Sequence, residues 1–395
     1  MIVHARQQPQ DKLADSPGLS RGTAPWIDPT ETIYSYCGFV HRMARARSCA
    51  ETARCLLGAS HAVRQHELPR SLAPLQRFAP AAFSSPLEAL RSHTIAGYYL
   101  PFLSLERQEE VACQWATGLW THGHRVTGIS TRALAIAHPL RWCASCVADD
   151  IERLGRALWR SRHQYPTTFE CSAHNEALIC VATTGKTWVQ AGDGGEIAAL
   201  RCGCTGLLSA AGDAIAQTRF FDTQLLRRAA LVRLADLGVI HSPHRVRHDR
   251  LERWFRQTPI GLWLETAPNG LCELQSGDWI AKLLWRHRQE HAVRWVVLWT
   301  ALSWTSPQEC MQELVNISGE SGTEIQIWPR PSAPPAFEKA VSECFSYEAI
   351  ASRLNASRSD VVRWFEAYPS LRAKWRMQWL AQRKRTARDT CQRTE

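Results

Sequence analysis

Two pairs of candidate metal ligands constrain this sequence most. Cys143 and Cys146 are separated by two residues, and Cys171 and His174 have the same spacing further along the chain. Two ligands at this spacing can turn back onto one ion, and a second pair completes the tetrahedral Cys and His set that structural Zn²⁺ prefers. The sequence therefore predicts one closed, structural zinc site. The alternative, unrelated buried thiols, does not explain the repeated spacing.

The remaining cysteines and histidines give weaker signals. His163 is interpreted as a hydrogen-bonded structural residue, because four ligands already exist. Cys180 with Cys202 and Cys204 offers three ligands without the two-residue spacing, so a second zinc ion is the less favoured alternative. Other histidines have no partner at ligand spacing and are interpreted as surface, packing or loop residues: His93, His122, His124, His241, His244 and His248.

The composition favours an anionic partner. The 395 residues include 47 Lys and Arg against 37 Asp and Glu, a net charge of +10, which points first to nucleic acid. We expect no membrane partner, since the chain lacks an apolar run of about 18 residues. The polar amino-terminal segment argues against secretion, and most of the 14 cysteines are isolated, so a reducing cytoplasm is expected. The 17 tryptophans are predicted to fill helix interfaces.

Helix signals recur along the chain and predict a mainly α, multidomain protein. Residues 28–31 combine a capping residue, Pro and Glu, which predicts a helix start. Residues 48–51 form a second capping box, and Gly58 is predicted to end that helix. This helix pair is interpreted as a bundle corner in preference to a DNA-binding pair. Further predictions are a hairpin within 181–200, helices within 218–255 and packed helices within 279–304.

The carboxyl-terminal region has the pattern of a helix-turn-helix. Residues 346–354 and 358–365 are predicted helices, and Asn355 in the turn between them suits a left-handed backbone. Ser357 is a good helix cap, which leaves Arg358, Ser359 and Arg363 facing outward. In a DNA reader this face contacts base edges or phosphates. A plain helical bundle is the alternative.

Two other basic segments are candidates for phosphate contact. Arg245 and Arg247 lie between two predicted helices, where a solvated surface is the alternative. The segment after the helix-turn-helix is rich in Lys and Arg, with Trp375 and Trp379 among them. It is interpreted as a cationic helix that docks on phosphates, and a solubilising, disordered end is the alternative. No catalytic constellation is found in the sequence, which predicts a protein that is not an enzyme.

The residues between the two ligand pairs carry a family resemblance. In order they are Asp149, Gly155, Trp159, His163-Gln164, Pro166 and, beyond the second pair, Leu178. This order resembles the zinc motif of the TniQ/TnsD family, the target-site selectors of TnsABC-type transposons. The sequence departs from the pattern at Ala144, Leu158 and Thr167, none of which is a ligand. Matching segments at 31–36, 57–58, 67–69 and 93–102 extend the resemblance over about residues 26–178.

The resemblance implies a domain organisation. We expect a flexible tail, a helical TniQ amino-terminal domain, a small CCCH zinc-binding module, a helical middle domain, a Pro-rich linker, and a helix-turn-helix with a basic tail. The predicted boundaries are, in the same order, 1–24, 25–137, 138–205, 206–326, 327–337 and 338–395.

The resemblance also implies a function. The protein would recognise an attachment site in double-stranded DNA and recruit a TnsC-like AAA+ ATPase, and through it the transposase, in the bacterial cytoplasm near the nucleoid. The first alternative is a TniQ adaptor that links a CRISPR effector complex (Cascade) to the transposition machinery. The second is a zinc-containing transcriptional regulator. Neighbouring genes would distinguish the three hypotheses.

Overall fold

The structure is a computed structural model. It describes residues 24–118, 136–182, 185–240, 247–285, 290–303, 333–356 and 358–368, with further single positions in 127–129, 306–312 and 371–378. The chain divides into two compact units, which meet in sequence at residues 317 and 318. As predicted, the protein is mainly helical. The predicted tail, except for its last residue, and the predicted linker as far as residue 332 lie outside the described residues.

The amino-terminal part of the first unit contains α1 to α6. Their bounds are Ile33–Met43, Cys49–Leu57, Ala73–Phe78, Pro86–His93, Ala96–Tyr99 and Leu105–Thr117. The prediction for α2 is confirmed: the Ser48 hydroxyl accepts the backbone N–H of Glu51, and Gly58 ends the helix with φ of 78°. Gly, which lacks Cβ, is the residue that adopts this left-handed backbone most easily.

The predicted start of α1 at residue 28 is wrong. The helix begins at Ile33, and the Thr32 hydroxyl accepts the N–H of Ser35. The Asp28 carboxylate instead accepts hydrogen bonds from the backbone and hydroxyl of Thr30, which closes a local turn. A capping residue can stabilise such a turn as well as a helix start, so the sequence signal was ambiguous.

The predicted zinc module combines short strands with one helix. The strands β1 to β5 are Leu140–Trp142, Glu170–Cys171, Glu176–Ala177, Ile179–Val181 and Glu196–Ile197. β4 pairs with both β1 and β5, and β2 pairs with β3, all antiparallel. The hairpin predicted within 181–200 is therefore wrong in its bounds: only β5 lies inside that range, and its partners Ile179 and Cys180 precede it. The helix α7, Ala144–Leu154, follows β1 directly.

The rest of the first unit is helical. Its helices α8 to α13 are Gly203–Gln217, Thr223–Asp236, His248–Gln257, Pro259–Trp263, Asp278–Trp285 and Ala292–Ala301. Helix α8 was not predicted, and the predicted domain boundary at 205/206 falls inside it. The predicted helix pair within 279–304 is confirmed by α12 and α13. Their tryptophans Trp279, Trp295 and Trp299 are buried, as predicted for helix interfaces.

A set of ion pairs joins the segment before α1 to the predicted zinc module. Glu31 is fully buried and receives hydrogen bonds from two guanidinium nitrogens of Arg156. Asp28 pairs with Arg153 at 2.9 Å. The backbone N–H of Thr32 donates to the carbonyl of Trp159, and an isolated β-bridge pairs Glu31 with Arg160. The three regions predicted as 25–137, 138–205 and 206–326 all lie in the first unit, so their boundaries stay predictions.

The second unit is a small helical bundle. Its helices are α14, Phe337–Glu343, α15, Tyr347–Arg353, and α16, Arg358–Ala367. The turn between α15 and α16 contains Asn355 at φ of 47°, which confirms the predicted left-handed position. The core is formed by buried apolar residues of all three helices together with one later residue: Phe337, Ala340, Val341, Ile350, Ala351, Val361, Trp364, Phe365 and Trp375.

Among the residues that the structure describes, no helix combines the length and apolar character needed to span a bilayer.

Candidate metal centre and nucleic-acid interface

The four predicted ligands converge on one point. One ligand atom each from Cys143, Cys146, Cys171 and His174 lies within 4.8 Å of every other. Nδ1 of His174 is 3.5, 3.3 and 3.6 Å from the sulfurs of Cys143, Cys146 and Cys171, respectively. Tetrahedral zinc with its usual bond lengths requires ligand atoms about 3.5 to 3.8 Å apart. The side chains therefore fit the edges of a zinc tetrahedron, and this arrangement could hold a metal ion.

Local backbone structure places the two ligand pairs. Cys143 has an extended backbone at the end of β1 and is the N-cap of α7, so Cys146 falls in the first turn of that helix. Cys171 ends β2, and His174 lies in the tight turn to β3. That turn is closed by a hydrogen bond from the N–H of Asn175 to the carbonyl of Cys171, at φ of 52° for Asn175. The start of α7 and the turn between β2 and β3 thus bring the two ligand pairs together.

The electrostatics of the cluster match a cation site. Side-chain interactions with Cys143 and Cys146 lower the pKa of Cys171. The pKa of Cys143 is raised, chiefly through its hydrogen bond to Cys146. Three sulfurs this close cannot all ionise without a compensating positive charge. A divalent cation would stabilise all three thiolates at once, which is how zinc sites of this composition form.

Two carboxylates surround the ligands. Oδ2 of Asp149, on α7, is 3.1 Å from Nε2 of His174. A proton on Nε2 directed at this carboxylate leaves the lone pair of Nδ1 facing the sulfurs, which is the tautomer needed for metal binding. On the other side, Glu176 accepts a hydrogen bond from the Ser145 hydroxyl at 2.7 Å and contacts the Cys143 sulfur at 3.2 Å. Glu176 was not singled out from the sequence, where an isolated acidic residue gives no signal.

The motif residues between the ligand pairs have structural contacts. The side chain of Gln164 accepts the N–H of Arg141 and donates to its carbonyl, each at 2.8 Å, so it holds the end of β1. His163 is buried, and its Nε2 is 4.0 Å from the sulfur of Cys146. The indole of Trp159 is buried and donates to the carbonyl of Val189. These residues build the scaffold around the ligand cluster.

The other candidate ligands are spread over several parts of the chain. Within the described parts of the chain, Cys180, Cys202 and Cys204 belong to no group that could hold a metal ion. His93 is buried and contacts the carbonyl of Glu31, as expected of a packing residue. His248 is exposed at the first position of α10. The remaining histidines of the sequence analysis lie outside the described residues: His122, His124, His241 and His244.

The predicted DNA-binding residues of the second unit are only partly described. Arg358 is the exposed first residue of α16 and forms an ion pair with Glu348 of α15 at 3.2 Å. Ser359 and Arg363 lie within α16, but their side chains are outside the description, and Ser357 lies wholly outside it. Since both partners of the Arg358 pair are exposed, the pair contributes at most about 1 kcal/mol and leaves the guanidinium available to a ligand.

The structure describes only some residues of the two basic segments. Arg247 is exposed and is the N-cap of α10, whereas Arg245 lies outside the described residues. Trp375 is buried against Tyr347 and Phe365, and its indole N–H donates to the carbonyl of Cys344 at 2.8 Å. The ring of Trp375 thus fills the core of the second unit, and phosphate docking by the Lys and Arg residues around it stays a prediction. Trp379 lies outside the described residues.

The fold and the site define a class: a mainly helical protein with a compact Cys/His cluster that could hold a metal ion, followed by a small second unit of helices. Comparison with known proteins identifies the part that contains the cluster. Residues 23–178, from the segment before α1 through the ligand cluster, match the TniQ family model. This match, together with similarity to a TnsD protein, supports membership of the TniQ/TnsD family.

One relative extends the similarity beyond the TniQ match. The chain is 24% identical over 235 residues to the transposon Tn7 transposition protein TnsD of Escherichia coli. This alignment covers 53% of the chain and 44% of the relative, so the chain spans less than half the length of that protein.

Proposed function

We propose that this protein selects the DNA target of a Tn7-like transposon. The observation that carries the proposal is the combination, in one chain, of a TniQ domain similar to a Tn7 transposition protein and a separate helix-turn-helix unit. The first unit would present a recruiting surface, and the second would read DNA. The protein would act without catalysis, and strand cutting and nucleotide hydrolysis would belong to its partners.

The DNA contact is assigned to the start of α16. In a helix-turn-helix, the first residues of the second helix enter the major groove, where Arg contacts guanine edges or phosphates. Arg358 occupies this position and is exposed. Ser357, Ser359 and Arg363 belong to the same proposed surface by sequence position. Arg245 and Arg247 are proposed as additional phosphate contacts from the first unit.

The metal centre is proposed to be structural. Cys143, Cys146, Cys171 and His174 would hold one Zn²⁺, which leaves no coordination position for a substrate. The ion would fix the position of α7, which carries Arg153 and ends just before Arg156. The ion pairs of these two arginines would in turn hold the segment that precedes α1. Metal binding would therefore organise the TniQ domain that recruits a TnsC-like AAA+ ATPase and, indirectly, the transposase.

Footprinting tests the proposal. The purified full chain is placed on DNA that flanks the ends of its own transposon, and one protected site near an end is expected. Arg358→Ala and Arg363→Ala should each weaken protection by about fivefold to a hundredfold, the usual value of a specific Arg contact. Lys339→Ala, which removes an exposed cation from α14, is the matched control and should leave protection intact.

Two outcomes would contradict target selection for a transposon by this protein. Uniform weak binding that ignores sequence would favour the adaptor hypothesis, in which a CRISPR effector complex chooses the site. Site-specific protection by a chain whose removal leaves transposition unchanged would favour a transcriptional regulator. Co-purification of the chain with the ATPase of the same transposon, lost when Cys143→Ser disrupts the metal centre, tests the recruiting role of the first unit.

A further inference from the structure

A second group of reactive side chains lies at the junction of α1 and α2 and includes none of the four candidate metal ligands. His41, near the end of α1, has its Nε2 3.4 Å from the sulfur of Cys49, the first residue of α2. Its other ring nitrogen, Nδ1, is 2.8 Å from the hydroxyl of Thr52. A nucleophile, a base and a third group that orients the base are thus in contact, which is the arrangement of activated thiols.

The contacts of His41 are compatible with a tautomer suited to activation. The Thr52 hydroxyl is 3.3 Å from the backbone carbonyl of Ser48, and when it donates its proton there, its oxygen accepts from Nδ1 of His41. In this tautomer His41 carries its proton on Nδ1 and presents the lone pair of Nε2 to the thiol of Cys49.

The environment keeps the imidazole neutral. Burial lowers the pKa of His41, and the neighbouring Arg42 lowers it further, so near neutral pH one ring nitrogen has a free lone pair. Thr52 is buried, which fixes the orienting group, whereas Cys49 is only half-buried and open to a small reagent. Cys37 and Cys55, on the same two helices, are buried and lack this access.

We propose that Cys49 is a modification site, a thiol activated by His41 that forms mixed disulfides with small disulfide molecules. Nε2 of His41 accepts the proton of the thiol as its sulfur attacks one sulfur of the disulfide. The disulfide bond of the reagent breaks, a new bond forms between Cys49 and the attacked sulfur, and the other half leaves as a thiolate that takes the proton from His41. The disulfide reagent is the oxidant, so electrons and protons balance.

The test is a comparison of thiols within one molecule. The zinc-loaded full chain is treated with substoichiometric 5,5′-dithiobis(2-nitrobenzoate), and peptide mapping by mass spectrometry gives the rate at each cysteine. Cys113, which is exposed on α6, is the internal reference. Base assistance should make Cys49 react at least about tenfold faster than Cys113, although it is the less accessible of the two.

Variants separate activation from accessibility. His41→Gln should lower the rate ratio of Cys49 to Cys113 to about one or below, and the isosteric Thr52→Val should lower it severalfold by removing the acceptor that fixes the tautomer. Thr52→Ser keeps the hydroxyl and should preserve the ratio, as should His61→Gln, which changes an exposed histidine. The proposal is overturned if Cys49 reacts no faster than Cys113. It is also overturned if Thr52→Val and Thr52→Ser both give the same ratio as the chain without substitutions. Labelling of the buried Cys37 would identify a variant that has unfolded.

Discussion

Replacing Glu31 by Gln tests whether the first unit depends on the buried ion pair that joins the segment before α1 to the residues after α7. The Glu31 side chain is fully buried, and both of its oxygens accept hydrogen bonds from Arg156, whose side chain is 10% exposed. Removing one partner of a buried pair typically costs about 3 to 5 kcal/mol, because the remaining charge stays desolvated without compensation.

Two features place the expected value at the lower end of this range. The guanidinium of Arg156 lies 4.1 Å from the ring centre of Phe39, and this contact continues to stabilise the cation by about 0.5 to 2 kcal/mol. Gln also retains one oxygen that can accept from Arg156. We therefore expect Glu31→Gln to lower the free energy of unfolding by about 3 kcal/mol.

The assay is urea unfolding followed by circular dichroism, with Glu110→Gln as the control. Glu110 forms an ion pair with Arg107 on α6 in which both side chains are exposed, so its loss should change stability by no more than about 0.5 kcal/mol. Equal effects of the two substitutions would refute the reasoning. A second check is Glu31→Gln combined with Arg156→Met, which should cost less than the sum of the single changes, because no buried charge is left behind.

Three further predictions follow from single contacts. Asp149→Ala should weaken zinc affinity by about tenfold to a hundredfold, measured by competition with a chromophoric chelator, because His174 loses the group that orients it, whereas Glu152→Ala on the same helix should not; equal affinities would contradict the assignment. Gly97→Ala should lower the unfolding free energy by about 1 to 3 kcal/mol or more, because the added Cβ would lie 2.1 Å from a backbone oxygen, and an unchanged urea midpoint would disprove this close approach. Burial lowers the pKa of His291 from 6.5 to about 3, so between these pH values the unfolded chain binds a proton and the folded chain does not. Stability should therefore fall as the pH drops from about 6.5 to 3. His291→Gln should flatten this part of the curve of stability against pH, and an unaltered curve would count against the assignment.

The local sequence predicted those parts of the fold that depend on a few adjacent residues. The cap of α2 at Ser48, its end at Gly58 and the left-handed turn at Asn355 are each determined by the backbone preferences of one residue and its neighbours. Other local signals were ambiguous. Asp28 was taken as a helix cap but closes a turn, because the same carboxylate can accept from either kind of backbone.

Helix α8 shows why one region escaped prediction. Its sequence begins with Cys202-Gly203-Cys204, which suggested a ligand turn, and it is rich in small residues that give a weak apolar pattern. In the structure, Gly212 on this helix faces Thr168 so closely that an added Cβ would lie 2.9 Å from its hydroxyl. The small residues therefore serve close packing, which has no signature in the periodicity of a single helix.

The sequence by itself determined the four residues of the cluster that could hold a metal ion, because each pair is marked by a two-residue spacing, and it determined the last two helices of the second unit through short-range periodicity and one turn residue. The tertiary structure alone decided which distant groups meet. It placed Arg156 against Glu31 across 125 residues, brought His41 to Cys49 at the junction of α1 and α2, and buried Trp375 in the core of the second unit. Such contacts depend on how helices pack against one another, and packing is set by the whole chain, so no local pattern records it.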